Sequence, residues 1–378
     1  MSTRTHTIVV GINDLFVGGA QRLVIDVLKQ PIFSDTEVHL VTFLEDVSRE
    51  NFRAQLPVHV HYHHIPFPHH LSPIGWWRLG RLIARVRPQA VWTHFFFSNT
   101  VYRILQPFFG YRVVAVEHNT YTWKRWTHRL VDRALAHVTY RIVAVSRTVA
   151  EFTARQERIS IEKFEVIPNG VNVADIKARV ADLSREDALR SIKLPTDCRY
   201  VLNVARLSKQ KNQMLLIEAF ALFARNHPQH TLLIVGEGPE RAHLQQQINE
   251  LGLAGCVLLL GTQMNVVPYY RASDFFVLTS SIEGFALVCI EAMACGLPVI
   301  ATPVAGPDEY IREGENGFLV SPDPEAISGK MVELAALSSE TLQIWGDVAR
   351  ETAGEYSVEE TARRYYELLV NKKLSGHS

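Results

Sequence analysis

The strongest constraint on the fold is an alternation that runs the length of the chain. Short apolar runs, each ending in glycine, hydroxyl or charged residues, are separated by longer segments with apolar residues at helical spacing. In the first part the runs are Thr7 to Gly11, Glu37 to Phe43, Val58 to His63, Ala90 to His94, Tyr111 to Glu117 and Tyr140 to Val145. In the second they are Tyr200 to Ala205, Thr231 to Gly236, Val257 to Gly261, Asp274 to Ser280 and Val299 to Thr302. Near-continuous apolar runs mark strands buried on both faces, and their alternation with helices predicts parallel α/β sheets covered on both sides. With 378 residues the chain exceeds one ordinary core, so two such domains are expected, joined near residue 175 after the Val166-Ile-Pro-Asn-Gly-Val171 strand and turn.

Ligands meet an open α/β sheet at the carboxyl ends of its strands, which makes the residues after each run the places to search. The segment Ser280 to Pro298 is the richest. A strand ends in hydroxyls, and Glu283 and Gly284 occupy a loop. A helix is expected from Phe285, with Gly296 and Pro298 stopping it before the next strand. Glu283 then lies beside the helix N-terminus and Glu291 about two turns along. The unpaired amides of Gly284, Phe285, Ala286 and Leu287 favour an anion. Taken singly, these carboxylates would read as a solvated loop acid and an exposed helix acid.

Other strand ends add to this. Arg206-Leu-Ser-Lys209-Gln-Lys211-Asn212 brings three cations to a strand-to-helix crossover, suiting a pyrophosphate, although an exposed basic turn has the same composition. Gly236-Glu-Gly238 is a glycine turn without the full dinucleotide fingerprint, and Gly261-Thr262 ends the next run. Gly18-Gly19 lies between the first strand and a helix expected over Leu23 to Lys29, allowing close approach of a ligand to the backbone. His118 follows the strand ending at Glu117, and Ser146 is an expected helix N-cap.

Taken in order, Gly18-Gly19, His118, Pro168-Asn169-Gly170, Arg206 with Lys211, Gly236, and the Glu283-x7-Glu291 pair make the chain resemble the family 4 glycosyltransferases along essentially its whole length. The resemblance implies the GT-B fold, two Rossmann-like domains facing across a cleft. They comprise residues 1–175 on the acceptor side and 176–356 on the nucleotide-sugar side, with 357–378 a terminal helix crossing back to the first domain. It also implies retention of anomeric configuration and gives roles to residues. Arg206 and Lys211 grip the donor diphosphate, Glu283 and His118 meet the donor sugar, and Glu291 takes ribose hydroxyls. Gly236, Gly261 and Thr262 approach the nucleotide, while Gly18, Gly19 and the Gly284, Phe285, Ala286 and Leu287 backbone complete donor binding. The catalytic set is Glu283, His118, Arg206 and Lys211. Gln21 stands where the family usually has an acid. No Asp-x-Asp pair occurs, so no metal or other cofactor is expected beyond the nucleotide sugar, taken as a UDP-sugar.

Charge points to the acceptor. Residues 1–175 carry 20 Lys+Arg against 14 Asp+Glu, and residues 176–378 carry 19 against 25, so the amino half is the basic one. Trp76-Trp77-Arg78 begins a segment with Arg81, Arg85 and Arg87 and no acid, and Trp123, Lys124, Arg125, Trp126, Arg129 and Arg133 are opposed only by Asp132. Tryptophan interleaved with basic residues suits an anionic membrane interface and a lipid-linked or lipopolysaccharide acceptor. Nothing resembles a nucleic-acid-binding module. Cys198, Cys256, Cys289 and Cys295 lack Cys-x-x-Cys spacing and read as reduced thiols. With no signal-like or membrane-spanning run, a cytoplasmic protein at the inner membrane face is expected. His59, His61 and His63 alternate onto one strand face, with His64, His69 and His70 following, but no Cys or carboxylate completes a metal site. Two other classes fit the same architecture, a sugar-nucleotide epimerase and a non-catalytic nucleotide-sugar-binding partner.

Overall fold

The structure is a computed structural model that describes residues 6–16, 18–44, 51–69 and 72–370. Val17, His70 and residues 371–378 of the expected terminal segment lie outside the described residues. The chain divides into two compact units, Met1–Gly170 with Val358–Ser378, and Val171–Ser357. The units change after Gly170, ahead of the position near 175 expected from the sequence.

The first unit begins with β1 (His6–Ile12), α1 (Gly19–Leu28), β2 (Thr36–Thr42), β3 (Val60–His64), α2 (Pro73–Val86) and β4 (Ala90–His94). It continues with α3 (Phe96–Phe109), β5 (Arg112–Glu117), α4 (Trp126–Leu135), β6 (Arg141–Ala144), α5 (Arg147–Glu157) and β7 (Phe164–Val166). The strands form one seven-stranded sheet in the order β3-β2-β1-β4-β5-β6-β7, every described pairing parallel. Strand order reverses between β1 and β4, and both are buried because helices cover the sheet.

In the first unit α1 and β7 depart most from the sequence expectation, and β3 is shifted from Val58–His63 to Val60–His64. α1 starts at Gly19, not Leu23, because small residues fit the first turn and the Arg22 N–H closes it on the Gly18 carbonyl at 2.9 Å. Apolar periodicity is blind to such a turn. β7 ends at Val166, where a strand was expected to begin; the Ile167 N–H still bonds the Ala144 carbonyl at 3.0 Å, and Pro168 has no N–H to continue. Ser146 does cap α5, its Oγ accepting the Val149 N–H at 3.2 Å.

The second unit opens with two helices in the charged connecting segment, α6 (Val173–Ala181) and α7 (Arg185–Ser191). Then follow β8 (Arg199–Val204), α8 (Gln213–Ala224), β9 (His230–Val235), α9 (Arg241–Glu250), β10 (Val257–Leu259), α10 (Val267–Ala272) and β11 (Phe275–Leu278). α11 (Leu287–Ala294), β12 (Val299–Ala301), α12 (Pro307–Tyr310), β13 (Gly317–Leu319), α13 (Pro324–Ala336) and α14 (Ser339–Gly354) complete it. Its six-stranded sheet runs β10-β9-β8-β11-β12-β13, parallel throughout, with the reversal between β8 and β11. α8 buries Leu216, Phe220 and Phe223 against Leu232 and Ile234 of β9 and Met331 and Leu334 of α13. Truncating any of these large side chains to alanine removes packing worth about 2–5 kcal/mol.

The last helix, α15 (Val358–Val370), belongs to the first unit. Tyr365 packs its ring 4.5 Å from that of Trp92, and the Leu369 carbonyl accepts from Arg112 Nη2 at 2.8 Å. Its buried stripe of Val358, Ala362, Tyr365 and Leu369 follows the helical period.

The loop between β5 and α4 is anchored by buried charges. Lys124 Nζ reaches Glu157 Oε1 at 2.6 Å, Asp132 Oδ2 at 3.0 Å and Glu117 Oε2 at 3.4 Å, while Arg103 Nη2 holds Asp132 Oδ1 at 2.5 Å. Three carboxylates thus share two cations. Burial, then the nearby Glu117 carboxylate, pushes the Glu157 carboxyl up to about 8, so the cluster keeps a proton at neutral pH. Between the unfolded value of about 4.3 and 8 the unfolded chain has lost a proton that the fold retains, so stability falls as pH rises. Five of the six tryptophans lie in this unit, making fluorescence its reporter. From about pH 7 to 8.5, above most histidine titration, the urea midpoint should fall, and Glu157→Gln should flatten that slope. A midpoint that rises in the wild type, or an unchanged slope in the variant, contradicts the shared proton.

Candidate active site

In the second unit the strand order reverses between β8 and β11, and the segments that leave these strands are hydrogen-bonded together. The Ser281 N–H bonds the Gln210 carbonyl at 2.8 Å, and Gln210 Nε2 returns to the Ile282 carbonyl at 2.7 Å. Thr279 Oγ1 donates to the Asn212 carbonyl at 3.0 Å. Between them Lys211 Nζ meets Glu283 Oε1 at 2.5 Å, and Ser280 Oγ donates to the same oxygen at 2.6 Å. Glu283 is buried, with its second oxygen unengaged among the described residues. A buried carboxylate needs this pairing, since an isolated one would carry a desolvation penalty of several kcal/mol.

Beyond Glu283 the helix starts at Leu287, two residues later than expected at Phe285, because Ala286 is left-handed at φ 52°. That conformation costs a non-glycine residue about 1–2 kcal/mol and is held from behind. Tyr310 Oη lies 3.2 Å from both the Phe285 and Ala286 carbonyls. Gly306, at φ 101°, approaches so closely that a Cβ there would fall 2.2 Å from the Phe285 oxygen. With the carbonyls turned back, the amides of Gly284, Phe285, Ala286 and Leu287 donate to no acceptor among the described residues. Successive free N–H groups at a helix N-terminus make an anion cradle.

Arg206 is exposed and its guanidinium has no partner among the described residues. Lys209 instead lines a depression on the α8 and α9 side, with Met214, Glu240 and His243. Gly236 must be glycine: at φ 142° its Cβ would fall 2.0 Å from the Ala205 oxygen, and its N–H bonds the Gly261 carbonyl at 2.8 Å. This contact sets the Gly236 turn against the Arg206 turn and draws in Gly261, with Thr262 exposed beside it. Glu291 stands apart on α11, half-buried, its Oε2 receiving the buried Tyr270 hydroxyl at 3.0 Å.

The other residues singled out from the sequence lie in the first unit. Gly18 is extended at φ −171°, which any residue adopts, and a Cβ on Gly19 would meet nothing within 4 Å. Neither glycine is demanded by the chain itself, and the space over Gly19 is open. Gln21 Nε2 bonds Asp14 Oδ1 at 2.8 Å, tying the helix start to the loop after β1. His118 follows β5 and shares a 2.8 Å hydrogen bond, Nε2 to Nδ1, with His94 at the end of β4. Burial pushes His118 down to about 3 and His94 well below the ordinary imidazole range, so both rings are neutral at physiological pH. Among the described residues no group of three His, Cys, Asp or Glu is placed to hold an ion.

Several residues that shape the site carried no sequence signal of their own. Tyr310, Tyr270 and Gly306 act from other elements and become visible only through contacts. His94 and Ser280 lie at strand ends, and their positions could have marked them.

Two family descriptions match the chain, one on each unit. The description "Glycosyl transferases group 1" matches residues 184–352, and "Glycosyltransferase Family 4" matches residues 17–175. An N-acetylgalactosamine-N,N'-diacetylbacillosaminyl-diphospho-undecaprenol 4-alpha-N-acetylgalactosaminyltransferase from Campylobacter jejuni is 30% identical over 325 residues, covering 82% of this chain and 84% of that protein. The chain belongs to the family 4 glycosyltransferases. It is also 32% identical over 179 residues to the lipopolysaccharide core biosynthesis glycosyltransferase LpsE of Rhizobium meliloti, a match covering 47% of this chain and 52% of LpsE. The match thus spans about half the length of LpsE, as it does for several other curated relatives. In fold it is similar to the crystal structure of Anabaena HepE in complex with UDP, with TM-score 0.82 and 21% identity, covering 96% of this chain and 99% of that one. The two Rossmann-like sheets are those of the GT-B class.

The clamp behind Phe285 can be tested by paired substitutions. Gly306 and Gly314 both have positive φ, at 101° and 76°, but a Cβ on Gly314 meets nothing within 4 Å. Gly314→Ala should cost about 1 kcal/mol of backbone strain. Gly306→Ala adds a backbone collision and should cost at least about 2 kcal/mol more, read by thermal unfolding. Equal losses would show that the close approach to Phe285 does not hold the loop.

Proposed function

We propose that the protein is a retaining glycosyltransferase that moves a hexose or N-acetylhexosamine from a nucleotide sugar, a UDP-sugar, to a lipid-linked oligosaccharide, lipopolysaccharide or related cell-surface glycan. The observation that carries this reading is the convergence of unpaired donors beyond β8 and β11: the free Arg206 guanidinium and the Gly284–Leu287 amides, beside the Lys211–Glu283 pair. When the bond between anomeric carbon and phosphate breaks, charge accumulates on the leaving diphosphate, and preorganised cations and amides lower that barrier. Arg206 offers a planar fork, and Lys211 has N–H donors beyond the one facing Glu283. The free oxygen of Glu283 takes a sugar hydroxyl, and Glu291, oriented by Tyr270, takes ribose hydroxyls. Gly236, Gly261 and Thr262 bound the nucleotide. No carboxylate is assigned as a nucleophile for double displacement, so leaving group and acceptor share one face of the sugar. Charge compensation by these groups makes the transfer independent of a metal ion.

The relatives support the donor and acceptor classes. HepE was solved with UDP and with UDP-glucose, the Campylobacter enzyme acts on a diphospho-undecaprenol glycan, and LpsE takes its name from lipopolysaccharide core synthesis. The acceptor side of the proposal rests on α4. Trp123, Trp126 and Leu130 are more than half exposed, and a cavity of about 470 Å³ is lined by Trp126, Leu130, Arg129, Arg133, Arg155 and Arg158. Apolar rings among arginines fit an anionic lipid surface at the inner membrane face.

Purified protein with EDTA present should release nucleotide from one member of a panel of UDP-, GDP- and ADP-sugars. Glu283→Ala should abolish release, and Arg206→Ala should lower turnover by about 100-fold, the effect of removing one transition-state donor. An isomerised sugar nucleotide without release would instead identify an epimerase. UDP binding without turnover, even with lipid acceptors added, would identify a binding partner. Co-sedimentation with vesicles rich in anionic lipid, but not with neutral vesicles, should weaken in Trp126→Ala and Arg133→Ala; equal binding to both vesicle types would exclude the membrane reading.

A further inference from the structure

The bond between His94 and His118 has a consequence for the proton each ring carries. Both rings are neutral, so each has one N–H. In one arrangement His94 Nδ1–H donates to His118 Nε2, and the His118 proton is on Nδ1. In the other His118 Nε2–H donates to His94 Nδ1, and the His94 proton is on Nε2. The surroundings separate the two. His94 is fully buried, and its Nε2 has no hydrogen-bond partner among the described residues. Its ring lies 4.6 Å from that of Trp92, whose one polar atom is itself a donor. A proton on His94 Nε2 would therefore be an orphaned buried N–H, whereas a bare lone pair there is the less costly fault. The neighbouring Phe95 and His118 rings, 5.3 Å apart, and the stacked His94 and His118 rings, 5.1 Å apart and inclined by 23°, keep the pair in register.

We propose that His94 is a positioning residue that fixes the tautomer of His118, so that His118 presents Nδ1–H as a standing neutral hydrogen-bond donor to an oxygen of the bound sugar. His118 is only partly covered, and its Nδ1 has no partner among the described residues, which leaves that donor available. The role excludes two others for His118, a general base and a cationic phosphate ligand, since the ring offers outward neither a lone pair nor a charge. The inference rests on the transferase reading for what is bound, but not for which nitrogen is protonated. In water imidazole favours the Nε2–H form, so the fold selects the less common tautomer at this position.

The test is a two-bond ¹H–¹⁵N correlation spectrum of the full-length protein labelled at histidine, recorded at about pH 7. The wild type should show His118 with a protonated Nδ1 and a bare Nε2; the reverse pattern, or a doubly protonated ring, overturns the proposal. His94→Phe removes the donor that fixes the proton, and His118 should then show a mixture of Nδ1–H and Nε2–H forms. His94→Asn, whose amide nitrogen falls near the position of Nδ1, should restore Nδ1–H. Nucleotide release then reads the consequence: His94→Phe should lower kcat/KM about tenfold, the loss expected for one substrate hydrogen bond, and His94→Asn should recover most of it. Equal loss in both variants, with the tautomer restored only in the second, would show that the proton's position does not matter to transfer. A wild-type protein that releases nucleotide from no sugar donor would count against the transferase reading, and the spectrum would still decide the tautomer.

Discussion

The second unit depends on one contact between opposite charges, Lys211 with Glu283, because the two residues are far apart in sequence and meet only if β8 and β11 are neighbours. A carboxylate as buried as Glu283 is tolerable only with a cation and a hydroxyl on it, and Ser280 supplies the hydroxyl. Adjacency of the strands thus determines the electrostatics of the loops. The Gln210, Ser281 and Thr279 bonds then make the two loops a single rigid rim. Such a rim orients groups before a substrate arrives, which is the condition for electrostatic stabilisation without reorganisation.

The first unit handles its charges differently. Its ionic cluster is buried beneath the loop after β5: Lys124, Arg103 and one retained proton balance the carboxylates of Asp132, Glu117 and Glu157. The polar pair at the ends of β4 and β5 is instead neutral, the imidazoles of His94 and His118. Charge is placed at an exposed rim in one unit and in the core, holding a loop, in the other. The two arrangements follow from one rule, that an ion is stable where its partners are fixed.

The fold was legible because both sheets are buried on two faces. A strand such as Phe275–Leu278 has no choice but to be continuously apolar, and the segments between read as helices. β4 was placed to the residue by that logic. Boundaries failed where backbone geometry and not side-chain pattern decides: at Ala286, where a left-handed residue delays α11, and at Gly19, where a helix starts on residues without apolar periodicity. In the site, residues directly after strands were readable from position. Those reaching in from other elements were not, because a contact such as Tyr310 with the Phe285 carbonyl depends on tertiary packing that no local spacing encodes.

The membership of α15 in the first unit makes that unit discontinuous in sequence, with Val171–Ser357 inserted between its parts. Tyr365 and Leu369 complete a core by packing against Trp92 and Arg112, residues made at least 257 positions earlier. During synthesis, the inserted unit can close on itself as soon as it has left the ribosome, while the unit begun first must wait for the last helix. A stop codon shortly before Val358 would therefore spare the unit nearest the truncation and open the one that starts the chain.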